Sequence, residues 1–272
     1  KQHRTDLRQF SLALLVSRHG HLPLLSLVYE GNRADARQFP ESLTLARRRL
    51  ESLVEGVEDI TIVYDRGNNS KVNQGQVDGA GFHYVAALTP SQHPDLLNVP
   101  AADYAALGEG PLQGVAVHRL KKWVWGQERT LVLLISETLR AGQIRGLAQH
   151  LDKRLAQLQA WKRALAKPGS GARSPGGAQK AVAALLKGQH IGKILKIDYN
   201  FRARGEKRLE WSIDEAELKR LHEEEFGKQI LMSDRHEWPT QEIILAYRGQ
   251  SHVEESFRQI KRPEHLAVRP QF

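Results

Sequence analysis

Apolar and polar side chains alternate along the first third of this chain in a way that predicts sheet and helix in turn. Leu7 to Val16 (LRQFSLALLV) is partly alternating and then continuously apolar, the pattern of a strand. Arg18-His19-Gly20-His21 turns the chain and Leu24 to Tyr29 returns, so the two runs predict a hairpin, which Gly31-Asn32 ends. Leu43 to Leu53 spaces its apolar residues at helical intervals among arginines. Ile60 to Tyr64 (ITIVY) is a short apolar run, expected to be a strand buried on both faces. Asn69 to Val77 predicts a short helix and Phe82 to Leu88 a further strand. Hairpin, helix, buried strand, helix and strand add up to a mixed sheet with helices packed on it, an α/β fold.

The pattern changes after Pro90, where Pro94, Pro100, Gly108, Gly110 and Pro111 mark loops. Val115 to Val124 and Thr130 to Leu134 predict a hairpin around Gly126, with Trp123 and Trp125 near its tip. Thr138 to Leu165 reads as a long helix and Lys167 to Gly177 as a Gly/Pro/Ser-rich loop. A short helix near Ala181 to Leu186, a second hairpin from Ile191 to Tyr199 and Arg208 to Ile213, and a charged helix from Asp214 to Glu225 follow. Ile230 to Met232 is the expected return to the sheet. The organisation expected is a first core part at 1–105, an α+β insertion at 106–226 and a last core part at 227–272.

The final helix, Gln241 to Lys261, holds the pattern with the most chemistry in it. At about 100° per residue, Tyr247, Gln250, Glu254, Arg258 and Lys261 fall within an arc of roughly 80°. Val253, Phe257 and Ile260 lie on the adjacent flank and can dock on a core. Thr240 is the expected N-cap. A carboxylate among cations and amides is suited to holding a metal beside phosphate oxygens. A solvated charged face explains the same stripe. So does a local break, because Ser251-His252-Val253-Glu254 is an S-x-x-E capping box just after Gly249. Asp65, at the end of the ITIVY run and before Arg66-Gly67-Asn68-Asn69-Ser70, is either a functional acid at a strand's carboxyl end or a turn former.

Composition narrows the partner. The 272 residues are 26% charged and 40% hydrophobic, ordinary for a globular protein. A formal net charge of +9 favours a polyanion such as nucleic acid. Apolar runs such as Leu131 to Ile135 are too short for a membrane span, and no signal peptide is visible. Absence of cysteine excludes disulfides and thiolate metal sites. The 12 histidines show no ligand spacing, so no zinc site is expected.

Asp6 to Asp35, with its Gly31-Asn32-x-x-Asp35 turn, Thr61 to Ser70 (TIVYDRGNNS), and the final helix followed by His265 to Pro270 (HLAVRP) together resemble the DDE transposases of bacterial insertion sequences, in the broad IS-four family. That family's closing helix carries tyrosine, arginine, glutamate and lysine at spacings of three, four and seven, matched here by Tyr247, Gln250, Glu254 and Lys261. The resemblance covers both core parts; the insertion matches only in position and in being partly β. It implies a ribonuclease-H-like core, with Asp65 and Glu254 as the second and third catalytic acids and metal ligands. Gln250 departs from the signature arginine, for which Arg248 or Arg258 would have to compensate. The family's first aspartate lies on a strand upstream of the hairpin. Asp6 and Asp35 match other family positions and are rejected as substitutes. The chain is therefore expected to be a core truncated at both ends and inactive alone.

The implied chemistry is DNA cleavage and strand transfer. Two Mg²⁺ ions, with Mn²⁺ as an alternative, activate a water and then a 3′-hydroxyl for attack on a phosphodiester. Tyr247, Gln250 and Lys261, with Arg66 and Arg258, would contact DNA phosphates, and Trp123 or Trp125 would stack a flipped base or simply pack. Implied partners are double-stranded transposon ends and target DNA, a homodimer on DNA and no membrane. The implied location is a bacterial cytoplasm, at the nucleoid. A non-catalytic DNA-binding remnant and another ribonuclease-H-like nuclease stand as alternatives.

Overall fold

The computed structural model describes residues 9–108, 110–166, 175–200, 208–262 and 264. Asp6, most of the Lys167 to Gly177 loop and the His265 to Pro270 motif lie outside them. The chain divides into two compact units, one of 1–134 with 229–272 and one of 135–228.

In the first unit, β1 (Phe10–Val16) and β2 (Pro23–Glu30) form an antiparallel hairpin. Helix α1 (Asp35–Glu51) follows, then β3 (Thr61–Tyr64), α2 (Lys71–Ala80) and β4 (His83–Leu88). After one turn of helix, α3 (Pro94–Leu97), come β5 (Ala105–Leu107), β6 (Val115–Val124) and β7 (Gln127–Ser136). The main sheet has six strands in the order β3-β4-β10-β7-β6-β5, with β10 being Lys228–Ser233. β3 and β4 are parallel; β10 runs antiparallel to β4. Helices α8 (Thr240–Arg248) and α9 (Ser251–Lys261) complete the unit.

Period-two alternation builds two cores from the same strands. Tyr84, Ala86 and Leu88 of β4, Leu131 and Leu133 of β7, and Ile230 and Met232 of β10 face α1 and α2, meeting Leu43, Leu50 and Val77. Val85, Ala87, Val132, Leu134 and Leu231 face the other way, onto Ile243, Ile244 and Ala246 of α8. A six-stranded mixed sheet flanked by helices is the ribonuclease-H-like α/β arrangement that the resemblance implied.

The β6–β7 hairpin is a full member of this sheet, so the expected boundary at 106 does not mark where the second unit begins. The hairpin pattern was right, but alternation does not say which sheet a hairpin joins. Its turn, Trp125-Gly126, has positive φ at both residues (52° and 91°), as a two-residue hairpin turn requires. A second correction concerns β3, which is an edge strand: Tyr64 is buried but Thr61, Ile62 and Val63 are only half-buried.

The second unit contains the long helix α4 (Glu137–Leu165), α5 (Pro175–Leu185), α6 (Ile191–Ile194), the β8–β9 hairpin (Leu195–Asn200 and Arg208–Ile213) and α7 (Glu215–Arg220). Its core gathers Leu147, Leu158 and Trp161 of α4 with Ile194, Leu209, Leu221 and Phe226.

Candidate active site

Asp65 leaves the carboxyl end of β3 and enters a tight turn, Arg66–Asn68. The turn is held from several sides. Asn68 N–H donates to the Asp65 carbonyl at 3.0 Å, Asn69 Nδ2 donates to the Ala87 carbonyl of β4 at 2.9 Å, and Asn73 Nδ2 donates to the Asn68 carbonyl at 2.8 Å. Ser70 caps α2 by accepting from Asn73 N–H. The sequence DRGNNS is thus a clamp that fixes the backbone beside Asp65 and leaves the Asp65 carboxylate exposed.

The expected single helix from Gln241 to Lys261 is two, α8 and α9, joined at Gly249-Gln250. Both joint residues keep right-handed helical angles (φ −58°, ψ −13° and φ −57°, ψ −24°), so the axis continues while the hydrogen bonds tighten, Gln250 N–H reaching Tyr247 O. The stripe therefore survives the break. Ser251 makes no capping bond and Glu254 is exposed, so the capping-box reading fails. Thr240 is the first helical residue, preceded by Pro239 with no side-chain cap, correcting the expected N-cap.

These elements converge. The Tyr247 hydroxyl lies 3.4 Å from Asp65 Oδ1, a long contact. Burial, and then the Asp65 charge, push the Tyr247 phenol up to about 12. Asp65, Asn68, Gln250 and Glu254 line one cavity of about 470 Å³ with Phe257 and the hairpin. The turn of the β1–β2 hairpin is pinned to α8 and α9, His21 stacking on His252 at 3.6 Å between ring centroids and Arg18 pairing with Glu242. Where the hairpin ends, position 31 must be glycine, because a Cβ there would fall 2.6 Å from the Gln9 backbone.

The shape of the cavity is informative. Consecutive residues of β1, Leu12 to Leu15, and of β3, Ile62 to Tyr64, line it. Successive strand residues point to opposite faces, so a cavity touched by consecutive ones lies against a strand's edge. β1 pairs only with β2 and β3 only with β4 among the described residues, which leaves both edges unpaired at this slot.

Residues 1–269 match the family model described as Transposase DDE domain. The chain belongs to the DDE transposase family. No curated protein and no solved structure matches it. Membership makes this a domain of DNA-cleaving and DNA-joining enzymes.

Within the transposase, the expected cations stand differently. Arg248 donates to the Pro111 carbonyl at 2.6 Å and Arg258 pairs with Glu255, so neither is free to replace the signature arginine. Arg66 and Lys261 are exposed. Asp35 lines the same cavity but accepts the Tyr29 hydroxyl at 2.9 Å. Among the described residues, no three of His, Asp and Glu form a metal-binding group. Two acids without a salt bridge remain, a donor set suited to a divalent ion that takes its other ligands from water and substrate. No helix among the described residues is long and apolar enough to cross a membrane.

Trp125 packs against the α1–α2 core, while Trp123 is 70% exposed. Arg119 of β6 bonds the carbonyls of His236 and Trp238, and Thr130 of β7 bonds His236, so this hairpin's middle sits beyond the Ser233 end of β10. Ser233 pairs with Val85 near the start of β4, whereas Asp65 follows the end of β3. Both tryptophans are therefore at the opposite end of the sheet from Asp65. This removes the stacking alternative at that site, and Trp125 follows the packing reading. The sequence reading also missed a buried network around Arg129, whose charge near the start of β7 looks like surface.

Proposed function

We propose that this chain is the catalytic core of a bacterial insertion-sequence transposase of the IS-four kind, acting on double-stranded transposon ends and target DNA. Asp65 and Glu254 would hold the divalent ions, Mg²⁺ in the first instance. When bound, such ions polarise the phosphodiester and lower the pKa of the attacking group. Tyr247 positions the Asp65 carboxylate, and its hydroxyl stays protonated at neutral pH. Lys261 and Arg66 contact phosphates of the cleaved end, and Gln250 offers a neutral amide where the signature has a cation. Arg258 is a weaker contact because Glu255 competes for it.

The observation that carries this reading is the shared cavity: two acids nearly two hundred positions apart in sequence (65 and 254) line one recess at the sheet's carboxyl edge. The slot supports it further. Its free β1 and β3 edges offer backbone groups to an added extended segment beside Asp65. The chain would assemble as a homodimer on DNA, in the bacterial cytoplasm at the nucleoid. Asp35, the third acid lining the recess, is engaged by the Tyr29 hydroxyl, and with the neutral Gln250 that equally favours a DNA-binding remnant.

Anisotropy of a labelled duplex in Mg²⁺ and in EDTA separates the two. The core is expected to bind more tightly in Mg²⁺, and Asp65→Asn and Glu254→Gln are expected to abolish that difference. Loss of a mere outer-shell partner costs about 10–100-fold in metal affinity, so loss of a ligand should reach at least that. Binding indifferent to metal, or unchanged in both variants, would overturn the catalytic reading and leave the remnant.

A further inference from the structure

The acids are not the only groups in the cavity with unused bonding capacity. Asn68 Oδ1 and Gln250 Nε2 are both buried and have no hydrogen-bond partner among the described residues, and both residues line the recess that holds Asp65 and Glu254. A buried polar atom left unpaired costs about 1–3 kcal/mol, so it calls for an explanation. Asn68 is the more telling of the two. Its main chain is fixed at both ends, N–H to Asp65 O and C=O from Asn73 Nδ2, and Asn73 is itself anchored to the Ala36 carbonyl. A side chain carried on so constrained a backbone has little freedom to find water elsewhere. The neighbouring Asn69 also has an unpaired buried Oδ1, but its amide nitrogen is held on the Ala87 carbonyl and Asn69 does not line the recess.

We infer that Asn68 orients the attacking hydroxyl. Its Oδ1 accepts a hydrogen bond from the water or terminal 3′-hydroxyl that attacks the phosphodiester beside Asp65, while Gln250 Nε2 donates to an oxygen of the same nucleotide. This rests on the metal-dependent reading above and adds a residue that neither the signature nor the acidic pair includes. In the transfer, the hydroxyl oxygen bonds to phosphorus and the bond from phosphorus to the departing strand's oxygen breaks. The hydroxyl proton passes to water, because an amide oxygen is too weak a base to keep it, and the departing oxygen takes up a proton in turn. Asn68 therefore acts by holding one lone pair of the nucleophile toward phosphorus, and its effect depends on the hydroxyl being present.

The test compares duplexes ending in a 3′-hydroxyl with otherwise identical 3′-deoxy ends, in Mg²⁺. The wild-type chain is expected to prefer the hydroxyl by about two- to tenfold, the net worth of one hydrogen bond. Asn68→Ala is expected to erase the preference without lowering the unfolding midpoint, and Asn68→Asp, which keeps an acceptor, to retain it. A wild-type chain blind to the hydroxyl, or an Asn68→Ala variant that keeps the preference, overturns the inference while metal-dependent binding still stands. A lowered midpoint in Asn68→Ala would mark a structural role and overturn it too. If no duplex binds at all, the catalytic reading falls first and takes this with it.

Discussion

Asp65 and Asp78 stand on the same short stretch between β3 and β4, and the fold treats them oppositely. Asp78 receives two guanidinium bonds from Arg129, at 3.1 and 2.7 Å, and a third from Gln74 Nε2 at 2.8 Å. Arg129 itself is fully buried and also donates to the Tyr84 hydroxyl and to the Val124 carbonyl. Tyr64, the residue before Asp65, donates its hydroxyl to Gln74 and so closes the network. Among the described residues, the Asp65 carboxylate has only the 3.4 Å contact with Tyr247. One acid is saturated inside the sheet's helical cover and the other is left open at the sheet's edge. Saturation by fixed partners marks a carboxylate that holds the fold. An acid left open beside unpaired amides marks one kept for a ligand.

The sharpest way to break this comparison is to remove one partner from each side. Arg129→Ala strands the Asp78 carboxylate and the Tyr84 hydroxyl, and should cost about 3–5 kcal/mol in urea unfolding. Asp65→Asn, at an exposed site, should shift stability by no more than about 0.5 kcal/mol. Replacing both buried partners with apolar residues, Arg129→Met with Asp78→Leu, should recover much of the first loss, because no charge is then left unpaired. Equal effects of Arg129→Ala and Asp65→Asn would erase the distinction between the two acids.

Much of this arrangement was legible in the sequence, for identifiable reasons. β4, β7 and β10 carry continuous apolar runs because both faces of the sheet are covered, and Asp65 stood out because an apolar run stopped at it. The Arg129 network was not legible: an arginine in Gln127 to Thr130 matches an exposed strand end until its tertiary partners are known. The break at Gly249 was legible as an alternative, but not that the φ/ψ there would remain helical, because glycine signals a break without fixing its angles. The unpaired edge of β3 also escaped, because ITIVY reads the same whether its neighbour is a strand or a cavity.

A smaller effect is expected in alkaline solution. Tyr247 has a folded value of about 12 against an ordinary 10.0, raised by burial first and by Asp65 next. Between those values the folded chain keeps a proton that the unfolded chain has lost, so stability falls as pH rises from about 10 to about 12. Burial raises Tyr64 and Tyr84 as well, so the wild-type loss is a sum over at least these three. Tyr247→Phe should make the alkaline fall of the urea midpoint shallower, and Asp65→Asn should do so by less, because burial and not the charge is the larger cause. If Asp65→Asn matched Tyr247→Phe, the carboxylate would be more tightly engaged by the phenol than an open acid should be.

The finest comparison is between the last two cations of the stripe. Lys261 is exposed at the end of α9, while Arg258, one turn earlier, is held by Glu255. A cation that neutralises a phosphate releases a counterion, contributing about 0.9 to the slope of log K against log salt on duplex DNA. Lys261→Ala should therefore lower that slope by about one, uniformly across DNA sequences, since phosphate contacts position without reading bases. Arg258→Ala should lower it by clearly less, because the arginine must first give up its carboxylate partner. Glu255→Gln then becomes the deciding variant: freeing Arg258 should raise the slope in the parent and restore a full unit of loss when Arg258→Ala is added. A slope that ignores Glu255 would mean that Arg258 leaves its neighbour at no cost when DNA arrives, and that the two cations are equivalent.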